Sequence, residues 1–144
     1  MAKISTLVLF YTVLALLALQ DFREKKISDW HHVGILLLAV ISVFTISEIS
    51  LVMRVAGMFV VSVPMAVLAL IIPGSFGGGD VKLVFACGAF LGWKILLKGV
   101  VLAIFMAGCC SLWLLLAKRK EKNVQFALGP FLSAGVILSS FVLF

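Results

Sequence analysis

The chain has 144 residues, of which 64% are hydrophobic and 12% charged, and its mean hydropathy is +1.28. This composition excludes an ordinary soluble domain and indicates a membrane protein. A formal net charge of +6 would suggest a nucleic-acid partner in a soluble protein. Here the basic residues mostly lie between apolar runs, where membrane orientation explains them, so nucleic-acid binding is not expected.

Six apolar runs are bounded by charges or turn-forming residues, and each is a candidate membrane span because about 20 residues cross a bilayer core. The second and fourth runs are short for this purpose. We therefore expect an all-α polytopic membrane protein with about six transmembrane helices, forming a single domain over residues 1–144 without a soluble domain. The six runs are Ile4–Gln20, Val33–Ile46, Leu51–Pro73, Val81–Trp93, Ile95–Ala117 and Phe126–Phe144.

The basic residues between the runs predict the orientation. Arg23, Lys25 and Lys26 follow the first run, Lys82 follows a glycine-rich segment, and a basic cluster lies between the fifth and sixth runs at residues 118–122. Because cytoplasmic connections are rich in Lys and Arg, these three segments should face the cytoplasm, with both termini outside.

Three residues inside the runs have an expected structural role. Gly88 and Gly92 form a G-x-x-x-G pair, which favours the close approach of another helix. Arg54 lies near the start of the third run, where we expect its side chain to extend outward to the membrane interface.

The cysteines Cys87, Cys109 and Cys110 lie within apolar runs, form no C-x-x-C pair and have no histidine at metal-ligand spacing. Neither a zinc site nor a disulfide framework is supported. No metal or cofactor is expected.

The acidic residues Asp21 and Asp80 each stand where an apolar run meets a cytoplasmic connection, so the predicted orientation places both at one side of the membrane. Two neighbouring carboxyl groups cannot easily both ionise, and they can serve as an acid and a base. The base can activate water against a peptide carbonyl while the acid protonates the leaving group. The same pattern is equally typical of an ion or proton site in a transporter.

The glycines before Asp80 allow more than one interpretation. Gly77, Gly78 and Gly79 can supply a flexible connection with accessible backbone amides. The spacing of Gly74 and Gly79 matches a phosphate-binding loop, but Asp80 and the valine after it stand where Lys and Ser or Thr are required. Nucleotide binding is therefore not expected.

Three segments resemble a known family. The sequence GGGDVKL at residues 77–83 resembles the G-x-G-D-x-K-L motif of the type IV prepilin peptidases, which are bacterial membrane aspartic proteases. The segment DFREKKISDW, starting at Asp21, resembles the family's other aspartate motif, although Ser28 and Asp29 stand where the family has Pro and Asn. The segment ALGPFLSAG, with Pro130 in its predicted first helical turn, resembles the start of the family's last helix.

The resemblance implies that Asp21 and Asp80 are catalytic and that the enzyme cleaves the leader of prepilin-like precursors at the cytoplasmic face of the bacterial inner membrane. Pilus or secretion assembly components are implied partners, and Lys82 would orient Asp80 or contact lipid phosphate. Longer members carry paired Cys-x-x-Cys motifs associated with N-methylation. This chain lacks them, so it resembles the short, peptidase-only members of tight-adherence pilus systems, and methyl transfer is not expected.

Several alternatives remain at this point. The chain could be a small ion or proton transporter, a structural subunit of a secretion machine, or a presenilin-like protease that cuts within the bilayer. The adjacent His31 and His32 are interpreted as anchors at the membrane interface rather than as proton carriers.

Overall fold

The computed structural model describes residues 1–24, 29–117 and 128–142, and these ranges confirm the predicted all-α fold. Three helical stretches in the described ranges are long and apolar enough to cross a membrane: Ala2–Glu24, Leu51–Ile71 and Gly78–Leu116. In chain order, the helices of these described ranges are α1 (Ala2–Glu24), α2 (Asp29–Thr45), α3 (Leu51–Val60), α4 (Ser62–Ile71), α5 (Gly78–Leu116) and α6 (Gly129–Phe141).

Helices α2 and α6 have 17 and 13 residues, which correspond to roughly 26 and 20 Å at 1.5 Å per residue. Both are shorter than a hydrocarbon core of about 30 Å. The three long apolar helices indicate a membrane protein, while the count of six spans stays a prediction.

The third predicted span is broken into α3 and α4. Val61 lies between them with φ −105° and ψ −41°, and Pro64 follows in the first turn of α4. Proline has no N–H, and its ring crowds the carbonyl of the residue four positions earlier, which is Val60. Pro64 therefore cannot donate the helical hydrogen bond to the Val60 carbonyl, and the break falls at the next residue, Val61.

Helix α5 covers both the fourth and the fifth predicted spans. Its 39 residues would measure about 59 Å if straight, close to twice a bilayer core of about 30 Å. The helix is interrupted at Gly92, where φ is 75° and ψ is 169°. A positive φ is disfavoured for residues with a Cβ, so glycine permits the break, which falls one residue before the predicted end of the fourth span at Trp93.

The G-x-x-x-G pair has two different roles. The backbone of Gly88 on α5 lies directly against that of Gly57 on α3, since a Cβ on either glycine would collide with the other residue or its neighbours. This confirms the predicted close packing at Gly88. Gly92 also approaches α3, at Met53, but its main role is to break α5.

The expectation that Arg54 extends outward to the membrane interface is wrong. Its side chain is 3% exposed, and its guanidinium donates hydrogen bonds to backbone carbonyls and to the Ser42 hydroxyl. The carbonyls of Ser42 and Ile46 lie at the carboxyl end of α2, and those of Ala89 and Phe90 lie just before the break in α5. Helix ends leave carbonyls without intrahelical partners, and Arg54 donates to two such ends at once, although the Ser42 carbonyl also accepts from the backbone N–H of Ile46.

The helices meet in a bundle with two distinct ends. At one end Lys3 pairs with Glu48 at 2.6 Å, which places the start of α1 beside the connection between α2 and α3. Phe10 of α1 stacks on Phe90 of α5 in the interior, with ring centroids 4.0 Å apart. The opposite end holds the carboxyl end of α1 and the amino ends of α2, α5 and α6.

Candidate active site

Asp80 is the third residue of α5 and is 9% exposed. Its carboxylate accepts a hydrogen bond from the backbone N–H of Gly77, the residue that caps this helix. An acidic side chain that reaches back from the third helical position to the cap satisfies one of the free amides of a helix start. The amino end of the helix dipole also favours negative charge there. Local structure therefore holds the Asp80 carboxyl at the amino end of α5.

Asp21 lies in the last turn of α1, not in a connection, and is 6% exposed. Its carboxylate accepts a hydrogen bond from the backbone N–H of Gly129, the first residue of α6. This carboxyl thus also sits at the amino end of a helix, but of one distant in sequence. The contact ties the carboxyl end of α1 to the start of α6.

The two aspartates face the same region of the bundle. The carboxyl groups of Asp21 and Asp80 lie within electrostatic reach of each other, and both side chains are largely withdrawn from solvent. Below them, Leu14 of α1, Leu83 of α5 and Leu132 of α6 line one tight apolar cavity. The fold therefore brings the two carboxyl groups to the same end of the helices, while their action as a pair stays a prediction.

The prediction of a flexible glycine connection is wrong for most of the motif. Gly78 and Gly79 are helical and open the first turn of α5, while Gly77 caps it with φ −72°. None of the three has a positive φ. Gly77 instead gives the Asp80 carboxylate room, since a Cβ there would lie 3.3 Å from the carboxylate oxygen Oδ2.

Lys82 forms an ion pair with Asp29, the first residue of α2, with 2.9 Å between Nζ and Oδ1. This hydrogen bond and the attraction of the ammonium lower the pKa of Asp29 below its usual value. Both side chains are exposed, at 61% and 77%. Asp29, which departs from the family's Asn, thus has a contact of its own. Ser28 lies outside the described residues.

His32 is not the interface anchor expected from the sequence. It is 5% exposed, and its ring nitrogen Nε2 lies 3.0 Å from the carbonyl oxygen of Gly79. A carbonyl oxygen can only accept, so Nε2 carries the hydrogen and donates. His31, its neighbour, is half-buried.

Pro130 lies in the first turn of α6, as predicted. The residue of this segment that reaches the site is its neighbour Gly129. A Cβ at position 129 would collide with the Asp21 carboxylate oxygen Oδ2 and lie 3.0 Å from its Cγ. The G-P-F-L segment that contains this glycine is visible in the sequence, but only the fold shows that Gly129 lies against Asp21.

A groove of about 440 Å³ begins beside the site. Its polar mouth is formed by Asp29, His32 and Lys82, and its walls come from α2, α3, α4 and the first turns of α5. The walls are almost entirely apolar and consist of Val33, Leu36, Phe59, Ser62, Val63, Ala66, Val81 and Phe85. The groove therefore connects the segment that carries Asp80 with the apolar flank of the bundle.

Within residues 1–24, 29–117 and 128–142, no group of three or more His, Cys, Asp or Glu side chains is arranged to hold a metal ion.

The comparisons with known proteins agree with the motif. The type IV leader peptidase family matches residues 8–112, a range that contains both aspartates and ends before Gly129 and Pro130. No curated protein and no solved structure matches the chain. Since the match covers well over half of the sequence and the family consists of leader peptidases, the chain belongs to the type IV leader peptidase family.

Proposed function

We propose that the protein is an aspartic endopeptidase that removes the leader of type IV prepilin-like precursors at the cytoplasmic face of the bacterial inner membrane. Asp21 and Asp80 are the catalytic pair. One observation carries the proposal: two buried carboxyl groups lie within electrostatic reach of each other at the same end of an apolar bundle. Family membership supplies the class of reaction, which is proteolysis.

The two carboxyl groups suit water-mediated peptide hydrolysis. Because burial and mutual repulsion disfavour two negative charges, one group keeps a proton while the other is ionised. The ionised group takes a proton from a water molecule, whose oxygen forms a bond to the scissile carbonyl carbon. The protonated group then supplies a proton to the leaving amine as the C–N bond breaks. After the reaction the group that was ionised holds the proton, and the group that was protonated is ionised.

The backbone amides at the site hold the carboxyl groups in place for this reaction. Asp80 accepts from the N–H of Gly77 and Asp21 accepts from that of Gly129, so neither depends on a mobile side chain for its orientation. Effective acid and base catalysis requires such positioned groups.

The groove beside Asp80 supports a precursor as substrate. In such a precursor an apolar helix follows the leader, so a scissile bond at Asp80 puts that helix along the flank of the bundle. The groove begins at Val81 and Lys82, immediately after Asp80, and continues between apolar side chains of α2 and α4. We assign it to the first apolar side chains that follow the cleavage site.

The decisive experiment is cleavage of a prepilin-type precursor by the purified protein in detergent, with Asp21→Asn and Asp80→Asn as test variants. Each should reduce the cleavage rate by at least roughly 10³-fold while the protein still inserts and folds. Glu24→Gln is the matched control, because Glu24 is an exposed carboxylate near Asp21 that bonds only Gln20 among the contacts described. Full cleavage by either aspartate variant would refute the mechanism.

The same preparation separates the alternatives. A transporter would give ion or proton flux across sealed vesicles that depends on Asp80, with no proteolysis. A presenilin-like protease would release products cut within the apolar helix, which mass spectrometry of the fragments would reveal. Tolerance of both aspartate substitutions would instead indicate a structural subunit.

A further inference from the structure

The first turn of α2 contacts the first five residues of α5 at two points. Asp29 pairs with Lys82, and His32 lies against the carbonyl of Gly79. On each helix the two contacting residues are three positions apart, a spacing that places side chains on one face. Asp80 lies between Gly79 and Lys82 in the chain. The segment that carries the carboxyl group is therefore held on both sides of it.

The two contacts differ in strength. The Asp29 and Lys82 side chains are largely exposed, and exposed ion pairs are weakened by water and salt. The His32 ring is 5% exposed and donates from Nε2 to the half-buried carbonyl of Gly79. Hydrogen bonds withdrawn from water are stronger and more directional. His32 is thus the more effective of the two contacts.

The hydrogen bond also defines what His32 does. Since the Gly79 carbonyl cannot take up a proton, the Nε2–H bond is a positioning contact and not a proton-transfer route. The other ring nitrogen, Nδ1, is buried and has no hydrogen-bond partner among the described residues. Among the hydrogen bonds of the described residues, none joins the His32 ring to the carboxyl group of Asp21 or Asp80.

We propose that His32 is a positioning residue for proteolysis: through its Nε2–H bond to Gly79 it sets the place of the Asp80 carboxyl, with the Asp29–Lys82 ion pair as a second contact. This inference rests on the proposed catalytic role of Asp80. It adds a contribution from α2, a helix that carries neither Asp21 nor Asp80: the first turn of α2 positions the Asp80 carboxyl.

The test uses the full chain in detergent and a synthetic precursor with a basic leader followed by an apolar helix. His32→Phe keeps the ring volume and removes the donor. It should lower kcat by roughly 10- to 100-fold and change KM by less than about twofold, with an unchanged thermal unfolding midpoint. His31→Phe is the matched control, and it should leave kcat within about twofold of the wild type.

Two amide variants test the position of the donor. The terminal N–H₂ of Gln lies about as far along its side chain as Nε2 does in His32. The side chain of Asn is shorter, so in His32→Asn the N–H₂ does not reach the Gly79 carbonyl. Gln should restore much of the lost kcat and Asn should not. These variants keep the test valid if His32→Phe fails to fold, since both are small and polar.

The second contact has its own test. Asp29→Lys alone should lower kcat modestly, by about two- to fivefold, because it places two cations side by side. The double change Asp29→Lys with Lys82→Asp restores an opposite-charge pair and should recover kcat. The thermal unfolding midpoint should stay unchanged in both variants, because a purely structural role would lower it together with kcat.

The outcomes separate this inference from the proposed function. If the wild type cleaves, the Asp80→Asn variant does not, and His32→Phe and His32→Asn match the wild type, the positioning role is refuted while the protease assignment stands. If His32→Gln and His32→Asn are equally impaired, the donor position is irrelevant and the inference is also refuted. A wild type that cleaves no precursor refutes both proposals.

Discussion

Gly129→Ala directly perturbs the contact that holds Asp21. The new Cβ would collide with the carboxylate oxygen Oδ2 and approach Cγ to 3.0 Å, whereas ordinary contacts begin at 3.4 Å. The carboxyl group must therefore move back by about 1 Å, a displacement that can cost about 100-fold in rate when it affects a reacting group. That factor corresponds to about 2.7 kcal/mol of activation free energy.

The effect should be on catalysis and not on folding. Alanine is a better helix former than glycine by about 1 kcal/mol, so the first turn of α6 should not be destabilised by its backbone. The assay compares kcat for precursor cleavage with the thermal unfolding midpoint in detergent. Gly108→Ala is the control, because a Cβ at position 108 would meet nothing within 4 Å. A Gly129→Ala variant with wild-type kcat would refute the placement of the Asp21 carboxylate against α6.

Three further predictions concern the interior and the groove. Arg54→Met should lower stability by roughly 3 kcal/mol or more, because several buried carbonyls lose their donor at about 1–3 kcal/mol each; an unchanged unfolding midpoint would contradict this. Gly88→Ala should cost about 1–3 kcal/mol by forcing α3 and α5 apart, and its midpoint is compared with that of Gly108→Ala. Ala66→Trp fills the groove and should raise KM for a precursor about tenfold, equivalent to 1.4 kcal/mol, whereas the exposed Val67→Trp should not. Equal KM values would remove the groove from substrate binding.

The helices and the aspartate pair could be predicted because their signals are local. Apolar runs interrupted by charge gave the helical segments, and a carboxylate next to hydrocarbon is costly enough to attract a functional interpretation. Asp21 and Asp80 were found in this manner, and the motif around Asp80 gave the family. The exact helix starts were less accessible, since Gly78 and Gly79 join α5 despite their low helix propensity.

The contacts that cross the bundle could not be predicted. Arg54 near a span end is ordinarily expected to reach the interface, because the cost of burying it is high. Its burial depends on carbonyls released at the end of α2 and at the Gly92 break, and these become available together only in the fold. The pairing of Asp21 with Gly129 and of His32 with Gly79 has the same origin, because neither partner is near the other in sequence.

Each of the two carboxylates proposed to be catalytic also accepts a hydrogen bond from the start of a helix. This determines how an inactive form of the enzyme should be made. Asparagine retains a side-chain oxygen that accepts the same backbone N–H, so the helix starts at Gly77 and Gly129 keep their partner. An alanine at either position has no side-chain oxygen, so the corresponding backbone N–H loses its acceptor. The Asp21→Asn and Asp80→Asn variants are therefore suitable baits: they should retain uncleaved precursor during purification and allow the bound substrate to be identified by mass spectrometry.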